Sequence, residues 1–351
     1  MTHALLLLFP LLAAPQGGPD EQYQFVIGLA EKGLHDQVVR EAEDFLSSYP
    51  DHPKAVPTRY RLAAAQYSLG ALDDAAANFA PLAALEGFEF RAESGLRLAQ
   101  CQMAGEQFAE AATSLETVLT LEKEYLIKPA TFLLAEAYFR GSEYAKAKQR
   151  YTEVAAVEEY TKDSLYGMTW CAYRLKEYDE AIRVANDFAG RYQGDPLVAE
   201  LMFLAGEAHL EAERPADALT SYAKVQAGPF ADAAVRGSGF ASAKMGDHAA
   251  AAGHFGRIVA DFPQSRFRLE AMLQQGIHLL KAERAAEALQ ALASTDLNDN
   301  PDALYWRAQA QQRTGDPEAA IATLEAAMQL NPSDELRGRM ASARGDILFD
   351  L

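Results

Sequence analysis

The feature that most constrains the fold is a residue pattern that recurs nine times, at intervals of 32 to 37 residues. The clearest copies have an apolar stretch, a short polar break, and an aromatic residue or leucine followed three residues later by alanine, as in Gly105 to Ala111. We call the last position the anchor. The anchors are Val38, Ala75, Ala111, Ala147, Ala181, Ala218, Ala251, Ala288 and Ala320. A fixed period of this length is typical of proteins that stack copies of one supersecondary unit.

Two further positions keep their distance from the anchor. Twelve residues before it, seven of nine residues are Ala or Gly: Val26, Ala63, Ala99, Ala135, Thr169, Gly206, Gly239, Gly276 and Ala308. Four residues after it, seven are large: Phe79, Leu115, Tyr151, Tyr222, Phe255, Leu292 and Leu324, with Ala42 and Ala185 as exceptions. A small residue on one helix lets a second helix approach closely, and the large residue fills the space beside it. Each unit is therefore predicted to be a helical hairpin.

The segments on either side of the polar break are rich in Ala, Leu, Glu and Gln, with apolar residues at helical spacing and no run of strand alternation. Prolines twelve residues after the anchor, as in Pro50 and Pro263, indicate where the second helix ends. One hairpin cannot bury its apolar face alone, so the units must stack. We predict an all-α solenoid over residues 20–334, closed by a capping helix over 335–351.

At these residues the sequence resembles the tetratricopeptide repeat family, which places small, alanine, aromatic and proline positions in this order. The resemblance implies a right-handed superhelical solenoid of about nine helix-turn-helix repeats. The phrases Asp44 to Pro50 and Ala260 to Ser265 are also similar to repeats of bacterial envelope proteins. These are the outer-membrane assembly lipoproteins and the periplasmic proteins that accompany the Tol-Pal system. This second similarity favours a bacterial periplasm.

The N-terminus has the character of a secretory signal peptide. Residues 1–19 contain no Lys, Arg, Asp or Glu, and Ala4 to Leu12 is apolar apart from Pro10. That run is shorter than the roughly 20 residues needed to span a bilayer. We expect export to the periplasm or cell envelope, a flexible lead-in through residue 19, and no membrane insertion after cleavage. The alternative is a disordered or membrane-tethering N-terminus.

Charge and cysteine content exclude several functions. The net charge is -18, with 32 Lys and Arg against 50 Asp and Glu, so phosphate-rich nucleic acids and anionic membranes would be repelled. Cys101 and Cys171 are the two cysteines and occupy the same position in the third and fifth units. Two repeat spacings separate them by roughly 20 Å, too far for a disulfide. We predict two packed thiols.

A second face of the first helix carries the candidate binding residues. Fifteen residues before the anchor, six of nine residues are aromatic: Tyr23, Tyr60, Leu96, Phe132, Tyr166, Phe203, Arg236, Leu273 and Tyr305. In the resembled family this face lines a concave groove. The predicted partner-binding residues are Phe132, Glu136, Phe139, Arg140, Tyr166, Trp170, Tyr173, Arg174, Phe203 and Glu207. Aromatic residues with Arg are common recognition anchors, and the nearby Glu200 and Glu211 favour a basic partner segment. The alternative is that these aromatics pack between helices.

Catalytic and metal motifs are missing from the sequence. It has no phosphate-binding glycine loop, no His-Glu-x-x-His pair and no Gly-x-Ser-x-Gly elbow, and its seven histidines are scattered. We therefore expect no metal or cofactor. The leading hypothesis is a noncatalytic adaptor that binds a protein or peptide segment along its groove. A self-assembling structural protein that forms homo-oligomers is the alternative. An enzyme acting on cell-wall glycan, with Glu136 or Glu207 as the catalytic carboxylate, is a third hypothesis.

Overall fold

The computed structural model describes residues 17–351, which form nineteen α-helices, one short 3-10 turn and no strand. The apolar run of the predicted signal peptide lies outside the described residues. The helices are α1 (Pro19–Glu31), α2 (His35–Ser48), α3 (Ala55–Ser68), α4 (Leu72–Ala84), α5 (Arg91–Ala104), α6 (Phe108–Thr120), α7 (Glu124–Arg140), α8 (Tyr144–Val154), α9 (Glu158–Arg174), α10 (Tyr178–Arg191), α11 (Leu197–Glu211), α12 (Pro215–Tyr222), α13 (Ala231–Lys244), α14 (His248–Asp261), α15 (Arg268–Lys281), α16 (Ala285–Leu292), α17 (Pro301–Arg313), α18 (Pro317–Gln329) and α19 (Asp334–Asp350). The predicted all-α class is confirmed.

Helices α1 to α18 form nine consecutive helix-turn-helix hairpins, as the repeat predicts. The polar break of every hairpin places the residue five before the anchor in the left-handed region, with φ between 58° and 85°. Glycine occupies this position in four hairpins, and Glu106, Ser142, Lys176, Glu213 and Glu283 occupy it in the others. The next amide donates to a carbonyl five residues back, as from Gln107 to Gln102. This is the Schellman arrangement that ends a helix and satisfies its last carbonyls.

The anchor, the residue twelve before it and the residue four after it are buried in all nine hairpins, so the predicted core pattern is confirmed. The contact between small and large residues is equally direct. A Cβ atom added to Gly206 would lie 2.4 Å from the Tyr222 ring, and one added to Gly239 would lie 2.7 Å from the Phe255 ring. The second helix therefore approaches as closely as the missing side chain permits.

The described chain forms two compact units, residues 17–171 and 172–351, which we call the N-terminal and C-terminal units. Within each unit, helices contact mainly the next helix in sequence, the arrangement expected of stacked hairpins. The division falls inside α9. In the C-terminal unit, α19 packs on α17 and α18 through Leu336, Met340 and Ile347.

Two further sequence-based expectations concern buried thiols and membrane segments. Cys101 and Cys171 are both buried, at 4% and 0% exposure. None of the helices within residues 17–351 has the length and apolar character needed to cross a membrane.

Candidate functional site

The residue fifteen before the anchor lies between repeats. In each of three hairpins its aromatic ring stacks on the residue 21 before the next anchor. The ring centroids are 4.8 Å apart for Tyr60 and Phe90, 4.9 Å for Phe132 and Tyr160, and 5.5 Å for Phe203 and Phe230. We call these contacts inter-repeat stacks. Phe132 and Phe203, two of the predicted binding residues, are half-buried and hold neighbouring hairpins together.

Three other hairpins replace one ring of the inter-repeat stack with a cation. Lys54 lies 5.1 Å from the Tyr23 ring centroid, and Arg236 lies 4.9 Å from that of Phe267. At the last hairpin, the Arg339 guanidinium from α19 lies 4.6 Å from the Tyr305 ring. The same register position thus supports either aromatic stacking or a cation–π contact.

Glu136 and Glu207 occupy equivalent positions on α7 and α11, and each accepts a hydrogen bond from a buried tyrosine of its own hairpin. The donors are the hydroxyls of Tyr151 and Tyr222. Burial, followed by the nearby carboxylate, raises the pKa of both tyrosines far above its usual range, so both hydroxyls stay protonated. Each glutamate is therefore held in place by its hairpin core.

The remaining predicted residues of α7 lie around the same carboxylate. Arg140 is exposed, and its guanidinium lies 3.8 Å from Glu136. The Phe139 ring lies 5.9 Å from Tyr144 and 6.5 Å from Tyr151. Glu136, Phe139 and Arg140 therefore form one local group.

Helix α9 carries the four predicted residues nearest the unit division. Tyr166 and Trp170 are half-buried and belong to the N-terminal unit, while Tyr173, also half-buried, and exposed Arg174 belong to the C-terminal unit. Burial, and then the nearby charges of Glu207 and Glu211, raise the pKa of Tyr173. In the C-terminal unit the structure thus brings Tyr173 near the α11 carboxylates of Glu207 and Glu211.

A group of aromatic residues around a carboxylate in the N-terminal unit was not predicted from the sequence. We call this group the N-terminal recess; it contains Tyr60, Phe88, Phe90, Glu93 and Tyr125. The Phe88 centroid lies 6.0 Å from Tyr60 and 5.8 Å from Phe90. The Tyr125 hydroxyl donates to Glu93 Oε1, and this bond raises the Tyr125 pKa to about 12. Glu93 Oε2 is buried and has no hydrogen-bond partner within the described residues.

A second group, the C-terminal recess, contains Arg236, Phe240, Phe267 and Glu270. Arg236 donates to both carboxylate oxygens of Glu270 at 2.8 Å. Its guanidinium also lies 4.8 Å from the Phe240 ring centroid. In both recesses the phenylalanine stands 21 residues, and the glutamate 18 residues, before an anchor. That shared register was the signal that could have revealed the phenylalanine and glutamate of both recesses from the sequence.

Metal-ligating side chains do not cluster in the described residues. Within residues 17–351 there is no group of three or more His, Cys, Asp and Glu side chains placed to hold a metal ion. The Nδ1 atoms of His248 and His278 lie 3.2 Å apart, and the ring centroids lie 5.2 Å apart at an interplanar angle of 25°. This geometry fits one ring nitrogen donating to the other.

A tetratricopeptide repeat profile matches residues 96–164, 166–232 and 273–335, which is more than half of the chain. The chain belongs to the tetratricopeptide repeat family. Proteins of this family generally act as noncatalytic scaffolds for protein–protein interaction. No curated protein is significantly similar to the chain in sequence.

Solved structures resemble the fold of this tetratricopeptide repeat protein at low sequence identity. The C-terminal part of a repeat protein from Cytophaga hutchinsonii has a TM-score of 0.50 at 14% identity, over 81% of this chain and 98% of that one. A repeat protein from Parabacteroides merdae gives 0.44 at 17% identity, over 73% and 98%. MamA from Desulfovibrio magneticus gives 0.43 at 19% identity, over 50% and 97%. The first of these supports the fold alone.

Proposed function

We propose that the chain is a noncatalytic adaptor that binds an extended or helical segment of a partner protein along the first-helix face of its repeats. Membership in the tetratricopeptide repeat family over more than half of the chain carries this proposal. The face offers half-buried Tyr173, exposed Arg174 and the carboxylates of α11, a mixture of aromatic and charged groups suited to a peptide.

The test is a binding measurement with a purified partner. A protein captured from the native envelope fraction and identified would be titrated against the full chain and against the triple variant Tyr166→Ala, Trp170→Ala, Tyr173→Ala. We expect at least a tenfold weaker affinity for the variant, because aromatic anchors dominate such interfaces.

The matched control is Tyr305→Ala, which removes an aromatic ring from the same register position in the ninth hairpin. Circular dichroism must show all three proteins to be equally helical. Equal affinity of the full chain and the triple variant would place the partner on another surface and refute the proposed binding face.

We further propose that the adaptor works in the bacterial cell envelope, because the phrases Asp44 to Pro50 and Ala260 to Ser265 are similar to repeats of outer-membrane assembly and Tol-Pal-associated proteins. The apolar run from Ala4 to Leu12 supports this location. Fusing residues 1–19 to a phosphatase that is active only after export should give active enzyme in bacterial cells. An inactive fusion made in normal amounts would contradict the envelope location.

Self-assembly is the second candidate, favoured by apolar residues exposed on and just after α19. Leu348 is 48%, Phe349 92% and Leu351 70% exposed. If they form a homo-oligomer interface, light scattering should show the full chain as an oligomer that Phe349→Ser dissociates. A monomer across a wide concentration range would exclude this candidate.

A further inference from the structure

The two recesses contain the same register positions with different residues. In each, a phenylalanine precedes a first helix and a glutamate lies one turn into it: Phe90 with Glu93, and Phe267 with Glu270. The residue fifteen before the preceding anchor reaches across from the previous hairpin, and it is Tyr60 in one recess and Arg236 in the other. The C-terminal recess therefore serves as an internal template for the N-terminal one.

In the C-terminal recess, one arginine contacts both the phenylalanine ring and the glutamate carboxylate. The Arg236 guanidinium lies 4.9 Å from the Phe267 ring and donates to both oxygens of Glu270. A planar guanidinium can stack on a ring and grip a carboxylate with two parallel hydrogen bonds, which an ammonium cannot do.

In the N-terminal recess, no single described residue both stacks on the phenylalanine and donates to the two carboxylate oxygens. Tyr60 stacks on Phe90, but the Tyr125 hydroxyl is the group that reaches the Glu93 carboxylate. Glu93 Oε2 is left buried without a donor among residues 17–351. A buried carboxylate oxygen without a donor is costly, so a cation that reaches it would bind favourably.

Two of the arginines close to the recess in sequence are engaged elsewhere. The Arg61 guanidinium lies 5.9 Å from the Tyr60 ring centroid, and that of Arg97 lies 4.9 Å from the Tyr67 ring centroid. In the part of the chain that the structure describes, neither arginine pairs with Glu93.

An exposed side chain covers the carboxylate of the recess. Tyr125, which covers Glu93, is 62% exposed, so its side chain is free to swing aside. Tyr125 also borders a cavity of about 620 Å³, which Glu124, Glu159 and Tyr160 line as well, with Lys128 as a cationic member. This cavity would hold the residues of a partner segment that flank the one inserted into the recess.

We propose that the N-terminal recess binds an arginine side chain of the partner segment, with its guanidinium on Glu93 and against the Tyr60 and Tyr125 rings. The inference rests on the proposed adaptor function and names the chemistry of its partner. The net charge of -18 favours the approach of such a basic segment.

The probe is a capped pentapeptide with a central arginine flanked by serine and glycine, compared with the same peptide carrying citrulline. Citrulline keeps the shape of arginine without the charge. Ligand-detected NMR titration of the full chain should give at least fivefold tighter binding of the arginine peptide. Glu93→Gln should abolish that preference, whereas Glu270→Gln, at the same register position in the template, should leave it unchanged.

The proposal is overturned if the full chain does not distinguish the peptides, if it binds neither, or if Glu93→Gln keeps the preference. Circular dichroism and thermal melts must show that both variants fold. Should Glu93→Gln melt early, Tyr60→Arg is the second variant, because it supplies an internal guanidinium that should displace the peptide. The α9 triple variant tests the adaptor function separately, so failure of either proposal can be recognised without the other.

Discussion

The N-terminal and C-terminal recesses show how one repeat register serves two purposes. In the C-terminal unit, Arg236 pairs with Glu270, and the recess is satisfied from within the chain. In the N-terminal unit, Tyr60 occupies the equivalent position and Glu93 Oε2 has no donor among the described residues. The recess of the C-terminal unit is thus filled by its own chain, whereas the recess of the N-terminal unit is the one that we propose receives an arginine of a partner.

The first prediction concerns the close approach of helices in the C-terminal unit. Tyr222 lies between Gly206 and Gly237, and a Cβ on either glycine would lie 2.4 Å from its ring. Gly206→Val should therefore lower the free energy of unfolding by about 4 kcal/mol, because a rigid ring cannot yield. Urea denaturation would measure the change.

Gly253→Ala is the matched control for this steric effect. Gly253 lies in α14 and is exposed, and a Cβ atom added to it would meet no other atom within 4 Å. The substitution should raise the unfolding free energy by about 0.5–1 kcal/mol through helix propensity. If both glycine variants were equally stable, the close approach between helices would not limit stability.

The second prediction concerns acid sensitivity in the C-terminal unit. Burial, followed by Lys281 and His248, lowers the pKa of His278 to about 4. Since the unfolded histidine titrates near 6.5, the unfolded state binds more protons as the pH falls. Stability should be complete above pH 6.5 and fall by at most about 3 kcal/mol by pH 4.

His278→Leu is the comparison protein for this acid effect. It removes the titrating ring, so the difference in unfolding free energy between the two proteins should change between pH 6.5 and 4. A difference that stayed constant over that range would show that His278 does not titrate as its burial requires.

The third prediction compares equivalent residues of the two recesses. Arg236→Met should cost about 1 kcal/mol, because Glu270 loses a half-exposed partner. Tyr60→Phe should change stability by less than about 0.5 kcal/mol, since it keeps the ring that stacks on Phe90. Thermal and urea melts would test both, and equal losses would remove the distinction between the recesses.

The fourth prediction is that the hairpin turns do not distinguish the two units. Glu106 and Glu213 have φ values of 58° and 59°, a conformation in which glycine is unstrained. Glu106→Gly and Glu213→Gly should each raise the unfolding free energy by up to about 1 kcal/mol, because the left-handed conformation costs a residue with a Cβ atom. Urea denaturation would measure both variants. A gain in only one of them would mean that the turns also differ between the units.

Much of the fold could be predicted from the sequence because hairpin packing repeats at fixed distances. The positions of Ala147, Ala135 and Tyr151, for example, follow from the register and are all buried. The left-handed turn residue was harder to predict, because Glu106 and Ser142 carry no signal for that conformation.

The candidate site was less predictable, because its key contacts are particular pairs. The aromatic position at Phe132 was visible, but its partner Tyr160 in the next hairpin determines that it packs. Nothing periodic links Tyr125 to Glu93, which lie 32 residues apart. Such contacts depend on side-chain geometry, which the repeat register does not specify.

The most direct test of the central claim is a double-mutant cycle between Tyr60→Arg and Glu93→Gln, measured by urea denaturation. If the C-terminal recess is a valid template, the introduced arginine pairs with Glu93. The two substitutions should then be coupled by about 1 kcal/mol. Tyr60→Arg should lower the free energy of unfolding only slightly when Glu93 is present, and by more when Gln replaces Glu93. Purely additive effects would contradict the account, because Glu93 would then not recognise a guanidinium placed in its recess.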